Sequence, residues 1–232
     1  MLEVVGLTAG YRPGAPVLHE VSLALGPGQV LAVMGRNGAG KTTLLKAILG
    51  FARREAGSVR LLGRPLDGLA PEQVARAGIG WVPQGRGVFP GLSVAENLRL
   101  GALGTGRPPP GPALLARFPA LVERADRPAD NLSGGEQRQL AIARALAGEP
   151  RLLLLDEPSE GLQPSRVDEL ARTLETLVAE TGLALLLVEQ NLDLAVELAD
   201  AYLVLEDGRV VEQLSGAELA DDPARLERRL GL

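Results

Sequence analysis

The chain has 232 residues, of which 46% are hydrophobic and 23% charged, as in globular proteins and unlike disordered ones. It contains no cysteine and one histidine, His19, which excludes disulfides, cysteine nucleophiles and histidine-rich metal sites. The net charge of −5 argues against a large basic face, so no nucleic-acid partner is expected.

Two features of the chain predict where it works. The first ten residues include the acidic Glu3 and lack the basic segment of a secretory signal. The longest apolar runs, Val30–Met34 and Leu183–Val188, are far shorter than the ~20 residues that cross a bilayer. A cytoplasmic chain that reaches a membrane only through a partner is therefore expected.

Strands and helices are predicted to alternate along the chain. Apolar or alternating runs predict strands at Leu2–Thr8, Val17–Leu25, Gln29–Met34, Ser58–Leu62, Ile79–Val82, Leu152–Leu155, Ala184–Val188, Tyr202–Leu205 and Arg209–Val211. Apolar spacing and capping residues predict helices at Thr42–Leu49, after Ser93, at Ala113–Arg124, from Ser133 to Ala147, and at Ser165–Glu180, Leu192–Ala199 and Asp222–Leu230. This order predicts an α/β fold with a mainly parallel core sheet.

The segment 85–132 differs from the rest, because it has no clear strand and includes the stiff run Arg107–Pro112. We expect a helical insert here, within a single domain (1–232) whose core is 1–84 and 133–232. His19 is expected on the strand face of Val21 and Leu23, without a functional role.

Gly35-Arg36-Asn37-Gly38-Ala39-Gly40-Lys41-Thr42 matches the eight-residue phosphate-binding loop. Its glycines let backbone N–H groups approach phosphate oxygens, and it leads into a helix whose N-terminus favours an anion. In this motif the lysine reaches the β- and γ-phosphates and the hydroxyl of Thr42 ligates Mg²⁺. The cofactors predicted are therefore ATP and Mg²⁺.

A second nucleotide motif is predicted where the apolar run Leu152–Leu155 leads into Asp156-Glu157. A carboxylate at a strand end can lie beside the phosphate-binding loop, so Asp156 is expected to help hold Mg²⁺. Glu157 is then placed to polarise an attacking water.

With these motifs in order, Leu132-Ser133-Gly134-Gly135-Glu136 resembles the signature motif of the ABC transporter ATPases. The resemblance implies an antiparallel β subdomain, adenine stacking by Tyr11, and sensing of Mg²⁺ and the γ-phosphate by Gln84. The nucleotide-binding residues that it implies are Tyr11, Gly35, Arg36, Asn37, Gly38, Ala39, Gly40, Lys41, Thr42, Thr43, Ser133, Gly134, Gly135 and Glu136. The metal-binding residues are Thr42, Gln84 and Asp156, and the catalytic ones Glu157, Gln190 and Gln84.

In this family two cassettes pack head to tail around two ATP molecules, so a second ABC ATPase subunit is an expected partner. Two positions depart from the family pattern: Gln190 replaces a histidine, and Gln163 replaces an aspartate. Either activity is retained despite these changes, or the chain works in a heterodimer whose other cassette supplies a histidine-containing site. The heterodimer is the favoured expectation and a homodimer the alternative.

The segments Pro83-Gln84-Gly85-Arg86, Glu160-Gly161-Leu162 and Val188-Glu189-Gln190-Asn191 resemble the smaller ATP-binding subunit of branched-chain amino acid importers. Urea importer subunits share most of this pattern. The resemblance implies integral-membrane permease partners that hold the chain at the inner face of the cell membrane. The competing interpretations are a soluble ABC protein acting on DNA or ribosomes, a regulatory cassette that does not hydrolyse ATP, and an exporter cassette.

Overall fold

The computed structural model describes residues 1–231, which form two β-sheets surrounded by helices. The strands are β1 (Leu2–Arg12), β2 (Ala15–Leu25), β3 (Val30–Met34), β4 (Arg53–Leu61), β5 (Arg64–Pro65), β6 (Ile79–Val82), β7 (Leu152–Asp156), β8 (Ala184–Glu189), β9 (Ala201–Glu206) and β10 (Arg209–Ser215). The α-helices are α1 (Lys41–Ile48), α2 (Pro71–Arg76), α3 (Val94–Thr105), α4 (Pro112–Leu115), α5 (Pro119–Val122), α6 (Gly134–Leu146), α7 (Pro164–Thr181), α8 (Leu192–Leu198), α9 (Gly216–Asp221) and α10 (Arg225–Leu230).

The central sheet has the strand order β10-β9-β3-β8-β7-β6. Strands β9, β3, β8, β7 and β6 run parallel, and β10 pairs antiparallel with β9. Every residue of β3, β7 and β8 is buried, which explains their unbroken apolar runs, because parallel strands are covered on both faces. The predicted α/β class and parallel core are confirmed.

The two faces of this sheet pack against different layers. Leu152 and Leu154 of β7 share a core with α1 and the second sheet, whereas Leu153 and Leu155 pack with α3, α6 and α7. Side chains alternate along a strand, so Asp156 continues the face of Leu154 and lies against α1. This alternation brings the carboxylate of Asp156 to the phosphate-binding loop.

The second sheet, β2-β1-β4-β5, is antiparallel. The pairing of β1 with β2 is irregular, and Glu20 has a φ of 55°. Leu18 and Val21 are both buried, so the alternation shifts by one residue between them. The predicted position of His19 on the face of Val21 is therefore wrong: His19 is half-buried and its N–H donates to the carbonyl oxygen of Gly208 at 2.8 Å.

Several elements were predicted too short or not at all, and β4 and α2 show why. β4 begins at Arg53 and not at Ser58, because its first five residues lack apolar alternation and are held by pairing with β1. The short helix α2 buries only Val74, too little for a periodic pattern to be seen.

Residues 85–132 contain α3, α4, α5 and a 3-10 turn at Ala129–Asn131. Ser93 caps α3 as predicted: its hydroxyl accepts the Glu96 N–H while Glu96 accepts the Ser93 N–H. The single helix predicted at Ala113–Arg124 is wrong. It is broken at Phe118, whose φ and ψ of −130° and 60° precede a proline that lacks the N–H needed to continue the helix.

The end of the chain packs beside the central sheet. The predicted hairpin is confirmed, with Asp207 and Gly208 in left-handed conformations between β9 and β10. The predicted helix at Asp222–Leu230 begins later, at Arg225, and α9 precedes it. Among residues 1–231, no helix combines the length and apolar character needed to cross a membrane.

Candidate active site

The phosphate-binding loop joins β3 to α1. Gly38 and Gly40 have φ values of 84° and 105°, which other residues rarely adopt, and the helix begins directly after Gly40 without a side-chain cap. Lys41 is 5% exposed, and its Nζ donates to the carbonyl oxygens of Gly35 (2.8 Å) and Arg36 (3.2 Å). The loop therefore wraps around this ammonium group, and the first N–H groups of α1 are left to bind an anion.

Thr42 and Asp156 form a polar pair beneath this loop. The Thr42 hydroxyl donates to Asp156 Oδ1 at 3.1 Å, while the buried Oδ2 has no hydrogen-bond partner. The pKa of Asp156 is raised to about 6, chiefly by burial and in smaller part by the nearby Glu157, against the lowering effect of the Thr42 hydrogen bond and of Lys46 and Lys41. A hydroxyl beside an unpartnered carboxylate oxygen fits Mg²⁺, which prefers oxygen ligands.

The carboxylate of Glu157 is the meeting point of four segments. Its Oε2 accepts from Gln84 Nε2 at 3.1 Å, and its Oε1 accepts from Gln190 Nε2 at 2.7 Å and lies 3.5 Å from Lys41 Nζ. Gln190 Nε2 also donates to Asn37 Oδ1 at 2.8 Å. Predicted site residues from the phosphate-binding loop and from the segments that follow β6, β7 and β8 thus lie together at the carboxyl edge of the central sheet.

The backbone at Glu157 is strained. Its φ is 49°, a conformation that costs a non-glycine residue about 1–3 kcal/mol. The Glu157 N–H donates to the carbonyl oxygen of Val188 at 2.8 Å, which continues the pairing of β7 with β8 past Asp156. This backbone conformation directs the carboxylate towards Gln84 and Gln190. Glu157 is buried.

The predicted adenine-binding residue, Tyr11, lies at the end of β1 beside α1. Its hydroxyl is 3.3 Å from Thr43 Oγ1, and Lys46 Nζ lies 5.8 Å from the ring centroid. About half of this residue is exposed.

The signature segment lies apart from this group. Ser133 caps α6, and the carboxylate of Glu136 accepts the Ser133 N–H and hydroxyl and pairs with Arg124 at 3.1 Å. No hydrogen bond or ion pair within residues 1–231 joins this segment to the phosphate-binding loop. A Cβ at Gly134 would meet no other part of the chain within 4 Å, so packing within the chain does not explain the glycine.

Sequence reasoning assigned no role to two buried charged residues near Glu157. Glu189, at the end of β8, is 2% exposed and accepts three backbone N–H groups. Arg138 on α6 donates weakly to the carbonyl oxygen of Pro83 at 3.5 Å. Burial lowers the Arg138 pKa, and the carboxylates of Glu160, Glu189 and Asp156 oppose that effect. The sequence did contain one signal for Glu189: it is an acidic residue at the end of a buried strand, as Asp156 and Glu157 are.

Residues 18–160 match the family model described as ABC transporter. This range is more than half of the chain. The chain belongs to the ABC transporter family. It is an ABC ATPase, an enzyme that hydrolyses ATP to ADP and phosphate to power transport, which confirms the predicted family and activity.

Curated relatives match almost the whole length. The chain is 42% identical to the high-affinity branched-chain amino acid transport ATP-binding protein BraG of Pseudomonas aeruginosa, over 95% of this chain and 96% of the relative. It is 37% identical to the probable branched-chain amino acid transport ATP-binding protein LivF of Archaeoglobus fulgidus, over 95% and 94%. A lipopolysaccharide export ATP-binding protein, LptB of Acidithiobacillus ferridurans, is 35% identical over 100% and 97%.

Solved structures of ABC cassettes share the fold. One is a dimeric post-hydrolysis state of an ATP-binding cassette bound to ADP and phosphate, with a TM-score of 0.82. It is 25% identical and covers 93% of this chain and 99% of that chain. The predicted ABC ATPase fold is therefore confirmed.

Proposed function

We propose that this ABC ATPase powers an importer of branched-chain amino acids. The observation that carries the chemistry is the convergence of Lys41, Gln84 and Gln190 on Glu157, beside the Thr42–Asp156 pair. The solute class rests on the 42% identity to BraG over almost the full length of both chains.

The loop Gly35–Thr43 holds the phosphates. Its backbone N–H groups and Lys41 bind the phosphate oxygens, and Tyr11 stacks on adenine. Thr42 and Asp156 are the side chains that would hold Mg²⁺, with Gln84 beside them. Bound Mg²⁺ neutralises charge on the β- and γ-phosphates.

Glu157 is the acceptor for the proton of the attacking water. Its carboxylate pairs with Nζ of Lys41, which binds the phosphates, so the carboxylate lies at the phosphate end of the site. The side-chain amides of Gln84 and Gln190 orient the water and sense the γ-phosphate, a role that needs hydrogen-bond donors rather than a cation.

A partner cassette completes the site. Packing within this chain does not require a glycine at position 134, since a Cβ there would meet open space. The free space fits close approach of a second nucleotide's phosphate to Ser133, Gly134 and Gly135 at the N-terminus of α6. This chain therefore contributes its signature segment to the ATP held by its partner.

The partner is a different cassette, because Gln190 and Gln163 leave this chain without two residues of the family pattern. Mixing the two cassettes then raises ATPase activity well above that of either alone. No increase on mixing would contradict the heterodimer and favour a homodimer.

Permease subunits hold the chain at the inner face of the membrane, with residues 85–132 as the docking insert. Urea is the second candidate solute, since the motifs of this chain also resemble those of urea importer subunits. An exporter is a third, supported by the 35% identity to LptB.

The first test is single-turnover hydrolysis of γ-labelled ATP with protein in excess, for this chain together with its partner cassette, because the partner completes the site. Phosphate release that requires Mg²⁺ is expected. Binding of ATP without phosphate release would contradict the proposal and indicate a regulatory cassette.

A further inference from the structure

Glu189 connects two loops of the active site. One oxygen, Oε1, accepts the Ser159 N–H at 2.9 Å, and Oε2 accepts the N–H groups of Gln190 at 2.9 Å and Asn191 at 3.0 Å. Glu189 is 2% exposed, so these bonds form away from solvent, where a charged acceptor is strong.

The same carboxylate holds both ends of the Gln190–Glu157 hydrogen bond. Gln190 is fixed through its own N–H, and Glu157 lies two residues before Ser159. The Gln190 side chain then closes the ring by donating to Glu157 Oε1 at 2.7 Å. A shift of either loop would change this distance.

We infer that Glu189 is a positioning residue for ATP hydrolysis, one that sets Gln190 against Glu157. This inference rests on the proposed roles of Gln190 and Glu157. A carboxylate is required because all three groups facing it are donors, and a neutral amide presents an acceptor to only one side. Among the ion pairs of residues 1–231 none includes Glu189, and although its charge also acts on buried Arg138, its hydrogen bonds go to backbone N–H groups.

The test is Glu189→Gln, which keeps the side-chain volume but turns an N–H₂ group towards backbone donors. We expect kcat to fall about tenfold or more, while the affinity for a fluorescent trinitrophenyl-ATP changes less than about threefold. Glu197→Gln is the matched control, because it removes the same charge from the exposed face of α8 and leaves kcat unchanged.

A double-mutant cycle separates positioning from general loosening. In a Gln190→Ala background, Glu189→Gln is expected to lower kcat less than about twofold. The hydrogen bond from Gln190 to Glu157, through which Glu189 acts, is already lost in that background. Equal losses in both backgrounds, or an unchanged kcat in the single variant, would overturn the inference. A wild-type chain that stays inactive together with its partner cassette would instead contradict the proposed function as well.

Hydrogen exchange of the wild-type chain gives a test that does not depend on the variant folding. The amide hydrogens of Ser159, Gln190 and Asn191 should exchange as slowly as those of β8, although all three lie outside it. Rapid exchange at these amides would overturn the inference.

Discussion

Gln190 Nε2 lies 2.7 Å from Glu157 Oε1 and 2.8 Å from Asn37 Oδ1, so one amide joins the phosphate-binding loop to the proposed water-activating carboxylate. An amide can orient a carboxylate or a water, but it does not ionise near neutral pH. Gln190, which departs from the family pattern, is thus in direct contact with the residue proposed to activate water.

Replacing Glu157 by glutamine should separate binding from hydrolysis. The amide keeps the shape but no longer accepts a proton, so kcat should fall by about a hundredfold or more with ATP affinity nearly unchanged. Glu175→Gln on the exposed face of α7 is the control. Normal phosphate release by Glu157→Gln would remove Glu157 from this role.

Replacing Gln190 by histidine should introduce a pH dependence. An imidazole titrates near about pH 6.5, and the adjacent Glu157 carboxylate favours its charged form, so the transition lies at or above that value. The measurement is the ratio of the variant's kcat to that of wild type between pH 5.5 and 8.5, which cancels titrations common to both. Gln190→Ala should give a flat ratio, and a flat ratio for the histidine variant would contradict the contact.

Asp156 should lower stability at neutral pH. Because its pKa is raised from 3.8 to about 6 in the fold, its favourable contribution is complete below about pH 3.8 and is lost as pH rises through about 6. The difference corresponds to about 3 kcal/mol. Without nucleotide or Mg²⁺, Asp156→Asn should therefore raise the free energy of unfolding at pH 8 by about 2–3 kcal/mol, an advantage that shrinks as pH falls.

Urea denaturation at several pH values measures this effect. The matched control is Asp168→Asn on α7, an exposed position where the same change should have little effect. A lower free energy of unfolding for Asp156→Asn at pH 8 would contradict this prediction, because it would show that the buried carboxylate does not destabilise the fold.

Asn97 should stabilise the segment that follows Gln84. It is fully buried, accepts the Phe89 N–H at 2.9 Å, and donates to the carbonyl oxygens of Phe89 and Ser93, each at 3.0 Å. Asn97→Ala leaves the Phe89 N–H without a partner, whereas the two carbonyl oxygens keep their bonds to the backbone N–H groups of Leu92 and Asn97. The change should cost about 2 kcal/mol in the free energy of unfolding. Limited proteolysis should then cut first near Phe89, whereas exposed Asn131→Ala should behave as wild type.

The sequence predicted the parts of the molecule whose signals are local. The apolar run of β7 and the glycines of the phosphate-binding loop were sufficient to place Asp156 and Lys41. Glu189 was missed as a site residue because its partners are backbone N–H groups, one of them 30 residues away. The bulge near Glu20 and the start of β4 depend on pairing with β1. The hydrophobic pattern of a single segment carries no information about such pairing.

The central claim, that ATP hydrolysis at Glu157 drives branched-chain amino acid import, is tested most directly by labelled leucine uptake. Cells lacking this chain would be complemented with wild type or Glu157→Gln, with urea uptake followed in parallel. We predict that wild type restores leucine uptake, that Glu157→Gln does not, and that urea uptake is unaffected throughout. Leucine uptake that is the same with and without the chain would contradict the account.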